Sequence, residues 1–138
     1  MAERETHLAD IVKRALAEDA ARKDVTTRLL IDAARVGDAS IRAKAAGVVS
    51  GQRAAEETFK TLDPSVAYSV SASDGSPVER GAGIARIYGR VRAILSAERT
   101  ALNLLQHLSG IATTTAAFVA RVKGTGVVIL DTRKTTPG

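Results

Sequence analysis

The chain has 138 residues, 20 Lys+Arg against 15 Asp+Glu, a formal charge of +5, and neither cysteine nor tryptophan. That length suits one domain of roughly 100–200 residues and excludes a complete (β/α)₈ barrel, which needs roughly 250. The composition, 45% hydrophobic and 25% charged, permits a packed core, and the lack of cysteine excludes disulfides, thiolate metal sites and thiol nucleophiles together.

Taken in chain order, the first expected helix starts after Thr6, a suitable N-cap, with Leu8, Ile11, Val12, Ala15 and Leu16 on one face. The polar run Glu18–Asp24 ends that face. Val25-Thr26-Thr27 reads as a loop or cap, with Asp24 most simply a capping residue, and a short helical or extended piece follows over 28–34. From Asp38 the period becomes two, with Ile41, Ala43 and Ala45 alternating with Arg42 and Lys44 as in a half-buried strand. Gly47 and Gly51 bracket Val48-Val49-Ser50 and mark a bulge or a close backbone approach. Gln52 to Leu62 returns to helical spacing through Ala55, Phe59 and Leu62, and Asp63-Pro64 stops it.

Val66, Tyr68 and Val70 predict a further strand, and Asp74-Gly75 a turn. One or two strands are expected between Val78 and Tyr88, bent at Gly81 and Gly83 and ended by Gly89. This order is α+β rather than alternating β-α-β. Beyond it, Ile94, Leu95, Leu102, Leu105 and Leu108 predict a long helix interrupted at Ser109-Gly110. A second helix is expected over Ile111–Lys123, with Gly124 as its C′ residue. Val127–Leu130 is a continuous apolar run, as in a strand buried on both faces.

No apolar stretch approaches a membrane span, and the charged start Met1–Glu5 does not match a secretory signal, so a cytoplasmic protein is expected. The basic charge is interleaved with acids and accompanied by only four aromatic residues, too few for a base-stacking platform. Neither a nucleic-acid nor a membrane partner is therefore expected. His7 and His107 read as solvated or interfacial side chains. Ser109 has no partnered base to make it a nucleophile, and Asn103 and Gln106 read as helix-surface or interface groups. No residue is assigned a certain catalytic role.

The polar end Asp131-Thr132-Arg133-Lys134-Thr135-Thr136-Pro137-Gly138 follows the expected strand, where α/β units place ligands. Arg133 offers a bidentate fork and Lys134 a point charge, so this end is either an anion site or a basic tail.

The octapeptide 131–138 resembles quinolinate phosphoribosyltransferase, also called nicotinate-nucleotide pyrophosphorylase (carboxylating). Further resemblance lies in Glu98-Arg99-Thr100-Ala101-Leu102-Asn103-Leu104-Leu105-Gln106 and Leu108–Thr113. Upstream, Ala15–Asp19, Asp24–Thr27, Gly47–Gly51 and Asp74-Gly75 agree in order, so the likeness covers nearly the whole chain. The resemblance implies an N-terminal α/β sandwich-like domain over 1–108, then over 109–138 the first helix and strand of a C-terminal α/β barrel. It implies transfer of phosphoribosyl from phosphoribosyl pyrophosphate to quinolinate with decarboxylation, a step of NAD biosynthesis, by a homodimer using Mg²⁺. Thr132, Arg133 and Lys134 would bind substrate carboxylate or phosphate, and Arg99 would reach the neighbouring subunit's site. Metal ligands are expected beyond Gly138 and none in this chain, which alone would lack activity. The alternatives are a relative associated with molybdate transport loci, or a stand-alone domain that binds anions or a partner. Without flanking strands, Val127–Leu130 is expected to fray or to promote self-association.

Overall fold

The computed structural model describes the backbone of residues 2–134 and the side chains of residues 7–134. Among the described residues, four α-helices pack with two small antiparallel sheets. The helices are α1 (Ala2–Glu18), α2 (Val25–Leu30), α3 (Gln52–Leu62) and α4 (Val91–Val122). The strands are β1 (Val36–Arg42), β2 (Gly47–Val48), β3 (Ala67–Val70), β4 (Pro77–Val78) and β5 (Gly83–Arg90). The larger sheet has the order β1-β5-β3, with β5 central, and β2 pairs β4 in the smaller one. The α+β expectation therefore holds.

Alternation explains the sheet. Ile87 lies between Ala39 and Tyr68 across the ladder, and Ala85 between Ile41 and Val70. Buried residues of β5 and half-buried residues of β1 turn to the helices, while Arg86 and Tyr88 stay exposed. The register shifts between Ile41 and Arg42, a bulge that ends β1, so Ala45 lies in a turn rather than in the strand. The main core gathers Val49, Ala55, Phe59, Val66, Ile84, Ile87, Ile94, Ala97, Ala101 and Leu105. Fully buried alanines at 55, 97 and 101 carry little side-chain bulk between α3 and α4. Val12, Leu16 and Ala21 form a second cluster, which seats α1 against Leu62 and Leu104.

Gln52 joins several of these parts. It is 6% exposed. Its Nε2 donates to the carbonyls of Ala72 (2.6 Å) and Ile84 (3.0 Å), and its Oε1 accepts from the Tyr68 hydroxyl (2.6 Å). Burial pushes the Tyr68 phenol well above its ordinary pKa, and the Glu56 and Asp74 charges push the same way, so the donor keeps its proton. The backbone N–H of Gln52 donates to Asp74 Oδ1 at 3.0 Å. Asp74 thus caps α3 from a distant turn, because the residue at the N-cap, Gly51, has no side chain to do so.

At its other end α3 stops at Asp63, whose Oδ1 accepts from the Ser65 N–H (2.9 Å) and the Ser65 hydroxyl (2.7 Å). Those bonds hold the Asp63 carboxyl below its ordinary pKa, the hydroxyl contributing most and the Arg90 charge adding to them.

Four further sequence expectations change. α1 begins at Ala2 rather than after Thr6, since Glu3, Arg4 and Glu5 are themselves good helix formers. Val25-Thr26-Thr27 is the first turn of α2 rather than a loop. Asp24 caps it by accepting from the Thr27 N–H at 3.0 Å, which outweighs the modest helix penalty of β-branched residues. α4 runs through Ser109-Gly110 without a junction. The Thr113 and Thr114 hydroxyls donate to the carbonyls of Ser109 and Gly110 (2.7 and 2.9 Å), and Gly110 costs only about 1 kcal/mol relative to Ala in a helix. Finally, Val127–Leu130 forms no strand and is exposed, because no described strand lies beside it to complete a ladder. Thr135 to Gly138 lie outside the described residues.

Two stability predictions follow from this packing. Gln52→Leu should cost about 3 kcal/mol, since buried polar groups left without partners cost roughly 1–3 kcal/mol each. Urea unfolding would show this as a lowered midpoint at unchanged m, and a loss below about 1 kcal/mol would contradict it. Ser65→Ala should cost about 1 kcal/mol at neutral pH. The native Asp63 pKa is depressed, so this stabilisation is complete above the unfolded carboxyl pKa of about 4. It is lost as pH falls through the lower native value, so wild-type and Ser65→Ala unfolding midpoints should converge in acid.

Candidate functional site: two separate cationic groups

Arg99 lies in the first third of α4, and its side chain is 75% exposed. Its Nη1 donates to Asp19 Oδ1 at 2.9 Å. Asp19 follows the last residue of α1, and its own N–H donates to the Ala15 carbonyl at 2.9 Å. Arg92, Ser96, Arg99 and Asn103 succeed one another at helical spacing and give α4 one polar face.

Two of these residues fasten α2. Arg92 donates from Nε to the Ile31 carbonyl (2.8 Å) and from Nη2 to the Arg28 carbonyl (2.9 Å), taking up acceptors at the end of α2. The Ser96 hydroxyl donates to Asp24 Oδ2 at 3.3 Å. Hydrogen bonds from the Thr27 hydroxyl and N–H, then from Ser96, together with the Arg99 charge, hold the Asp24 carboxyl below its ordinary pKa against the opposing effect of desolvation. A cavity of about 460 Å³ beside this face is edged by Arg22, Arg28, Arg90 and Arg92.

The second group is Thr132, Arg133 and Lys134. All three are exposed, and the Lys134 N–H donates to Thr132 Oγ1 at 3.1 Å. Among the described residues, no hydrogen bond or ion pair ties 127–134 to the rest of the fold; Val127 N–H bonds only to Thr125 Oγ1 at 3.2 Å. The segment leaves α4 through Gly124 and Gly126, both at φ near +80°. Thr132, Arg133 and Lys134 are neighbours in sequence, and among the described residues no hydrogen bond or ion pair links them to Arg99. Along the axis, Arg99 is about 35 Å from the end of α4, at 1.5 Å per residue.

The remaining candidates have plainer places. His7, His107, Asn103 and Gln106 are exposed. Ser109 is a strut: its hydroxyl donates to the Ser50 carbonyl (3.1 Å) and accepts from the Ser50 N–H (3.0 Å). One turn on, Thr113 Oγ1 accepts from the Val48 N–H at 2.9 Å. The close approach expected at the flanking glycines is present. A Cβ on Gly47 would stand 2.8 Å from Thr113 Oγ1, and one on Gly51, at φ +107°, would stand 2.9 Å from Leu108 Cδ1. Among the described residues no three His, Asp or Glu side chains gather into a group that could hold a metal ion. No described helix is long and apolar enough to cross a membrane. Sequence reasoning missed Asp19 and Arg92. Asp19 lies 80 residues from its partner, and only its place in the motif Ala15–Asp19 hinted that it matters.

The fold is that of the N-terminal half of solved nicotinate-nucleotide pyrophosphorylases. The NadC of Streptococcus pyogenes superposes with a TM-score of 0.89 at 38% identity, over 96% of this chain and 48% of that one. The enzyme from Francisella tularensis gives 0.87 at 36% identity, over 94% and 46%. The pattern of the quinolinate phosphoribosyl transferase N-terminal domain matches residues 24–109, and that of the C-terminal domain matches 111–138. The chain belongs to the quinolinate phosphoribosyl transferase family. Among curated relatives, "Quinolinate phosphoribosyltransferase [decarboxylating] 1" of Nicotiana glauca is 39% identical over 132 residues, covering 95% of this chain. "Nicotinate-nucleotide pyrophosphorylase [carboxylating]" of Mycobacterium leprae is 40% identical over 134 residues, covering 94%. The chain spans 37% and 46% of the length of those two relatives.

Ser109→Ala should lower stability by about 1–2 kcal/mol, because the half-buried N–H and carbonyl of Ser50 lose their partner. Thermal unfolding measures this, and an unchanged midpoint would contradict the strut role.

Proposed function

We propose that the protein containing this chain transfers phosphoribosyl from phosphoribosyl pyrophosphate to quinolinate. The pyridine nitrogen forms a bond to the ribose carbon as pyrophosphate leaves with the bonding electron pair. The carboxylate beside the now cationic nitrogen then departs as CO₂, its bonding electrons remain on the ring carbon, and a proton replaces it. The products are nicotinate mononucleotide, pyrophosphate and CO₂. Family membership, together with Arg133 and Lys134 exposed and without an ion pair among the described residues, is the observation that carries this reading.

In this reading Arg133 grips a quinolinate carboxylate through its guanidinium fork. Lys134 supplies a point charge to carboxylate or phosphate, and Thr132 adds a hydroxyl at the same mouth. Arg99 serves the site of a second copy in a homodimer. Its side chain is exposed and so open to a second copy. Mg²⁺, when bound, would neutralise charge on the leaving pyrophosphate. A cytoplasmic location completes the proposal.

The natural gene product, supplied with quinolinate, phosphoribosyl pyrophosphate and Mg²⁺, should release labelled CO₂ from quinolinate carboxylate. Arg133→Ala and Arg99→Ala should each lower kcat/KM at least about 100-fold, equivalent to about 2.7 kcal/mol of transition-state stabilisation. Turnover within threefold of wild type in both variants would overturn the assignment.

A further inference from the structure

We infer that Asp19 is a positioning residue for Arg99, holding one edge of its guanidinium so that the other edge is presented to a substrate carboxylate. The inference rests on the proposed function above. Its own support is the geometry at the junction of α1 and α4.

The contact is one-sided. Arg99 Nη1 meets Asp19 Oδ1 at 2.9 Å, while Nε and Nη2 have no partner among the described residues. A bidentate pair would have consumed a whole edge of the fork; this one leaves donors free for a planar anion. The two partners differ in exposure, with Asp19 at 19% and Arg99 at 75%. The carboxylate is thus fixed in the fold, and the guanidinium stands out from it.

The setting of Asp19 does not favour a carboxylate by itself. It follows α1, where unsatisfied carbonyls give the helix end a partial negative charge. The next residue, Ala20, has φ +53°, a left-handed conformation that costs a non-glycine residue about 1–2 kcal/mol. That turn leads straight into Ala21, which is buried in the α1 cluster and so fixes where Asp19 can stand. An exposed ion pair contributes only about 0–1 kcal/mol, so stability alone is a weak reason for this arrangement. Direction is a stronger one. A free arginine carries about 2 kcal/mol of rotamer entropy, and holding it beforehand removes part of that loss from substrate binding.

One other acid lies close enough to feel the Arg99 charge, but no hydrogen bond or ion pair joins the two. Asp24, the other nearby carboxylate, is engaged by Thr27 and Ser96. Between these groups a cavity of about 260 Å³ opens, edged by Asp19, Asp24, Thr26, Ser96 and Arg99. A carboxylate from a second molecule can approach the free edge of Arg99 from solvent without displacing Asp19.

Asp19→Asn in the natural gene product tests this. It keeps the shape and removes the charge. KM for quinolinate should rise at least fivefold, with kcat and KM for phosphoribosyl pyrophosphate within twofold, and Asp19→Glu should recover most of the change. The double variant Asp19→Asn/Arg99→Ala should be no worse than Arg99→Ala, because the two act as one unit. A quinolinate KM unmoved by Asp19→Asn but raised by Arg99→Ala would overturn the positioning role and leave the Arg99 assignment standing. A KM unmoved by Arg99→Ala would instead overturn the assignment of Arg99 to the substrate. Nitrogen relaxation at Arg99 Nε gives a readout independent of turnover. Its order parameter should fall in Asp19→Asn, and an unchanged value would overturn the proposal.

Discussion

A single buried amide holds the sheet, its connecting loop and a helix in one arrangement. The Gln52 side chain accepts from Tyr68 on β3 and donates to Ile84 on β5 and to Ala72 beyond β3. A side-chain amide brings two donor hydrogens and an acceptor, and here both kinds are used. A buried polar group of this sort specifies a geometry more sharply than apolar packing does, because any shift of β3 against β5 leaves a polar atom unpaired. Everything downstream depends on that alignment. β5 runs directly into α4, so the angle at which β5 is held sets the direction in which α4 leaves the sheet.

α4 in turn places the candidate site residues. Its first half belongs to the core through Ile94, Ala97, Ala101 and Leu105. Its opposite, polar face holds α2 by Arg92 and Ser96 and exposes Arg99. Ser109 and Thr113 then receive the 47–51 segment through side-chain hydroxyls, an arrangement that needs glycine where the two backbones come closest. Past that contact the helix stands clear of the body, with Ile111, Phe118 and Val119 about half exposed. Two kinds of cation result. Arg99 is anchored by a fixed carboxylate, whereas Arg133 and Lys134 are anchored by nothing described.

Periodic features were the most legible in the sequence. The alternation over 38–43 and 66–70 and the apolar stripe of α3 reflect repeated burial on one face, and repetition is what a sequence displays. Asp24 was legible as a cap because capping is local. What escaped was either non-periodic or long-range. Gln52 has no pattern around it that announces a buried amide. Asp74 reads as half of a turn dipeptide, and nothing nearby says that it caps a helix 22 residues earlier. Ser109-Gly110 suggested a break because the compensating hydroxyls, Thr113 and Thr114, act only once the helix exists. Val127–Leu130 suggested a strand because apolar β-branched runs usually find one, but a strand is a property of a pair. At the candidate site, the charge and donor chemistry of Arg133 and Lys134 was visible from residue type, and the resemblance supplied Arg99; the carboxylate that holds Arg99 was not visible.

The continuity of α4 has a consequence for how such a chain can vary. Each residue of an α-helix advances the backbone by about 1.5 Å and rotates it by about 100°. An insertion of one residue after Thr113 would leave the contacts with the 47–51 segment in place yet turn the direction in which the chain toward Thr132, Arg133 and Lys134 leaves the helix. The turns at 44–46 and 71–76, by contrast, absorb a change of length locally, because neither continues as a rigid rod. Helix length beyond Thr113 therefore sets where the chain departs from α4, whatever side chains lie along that stretch.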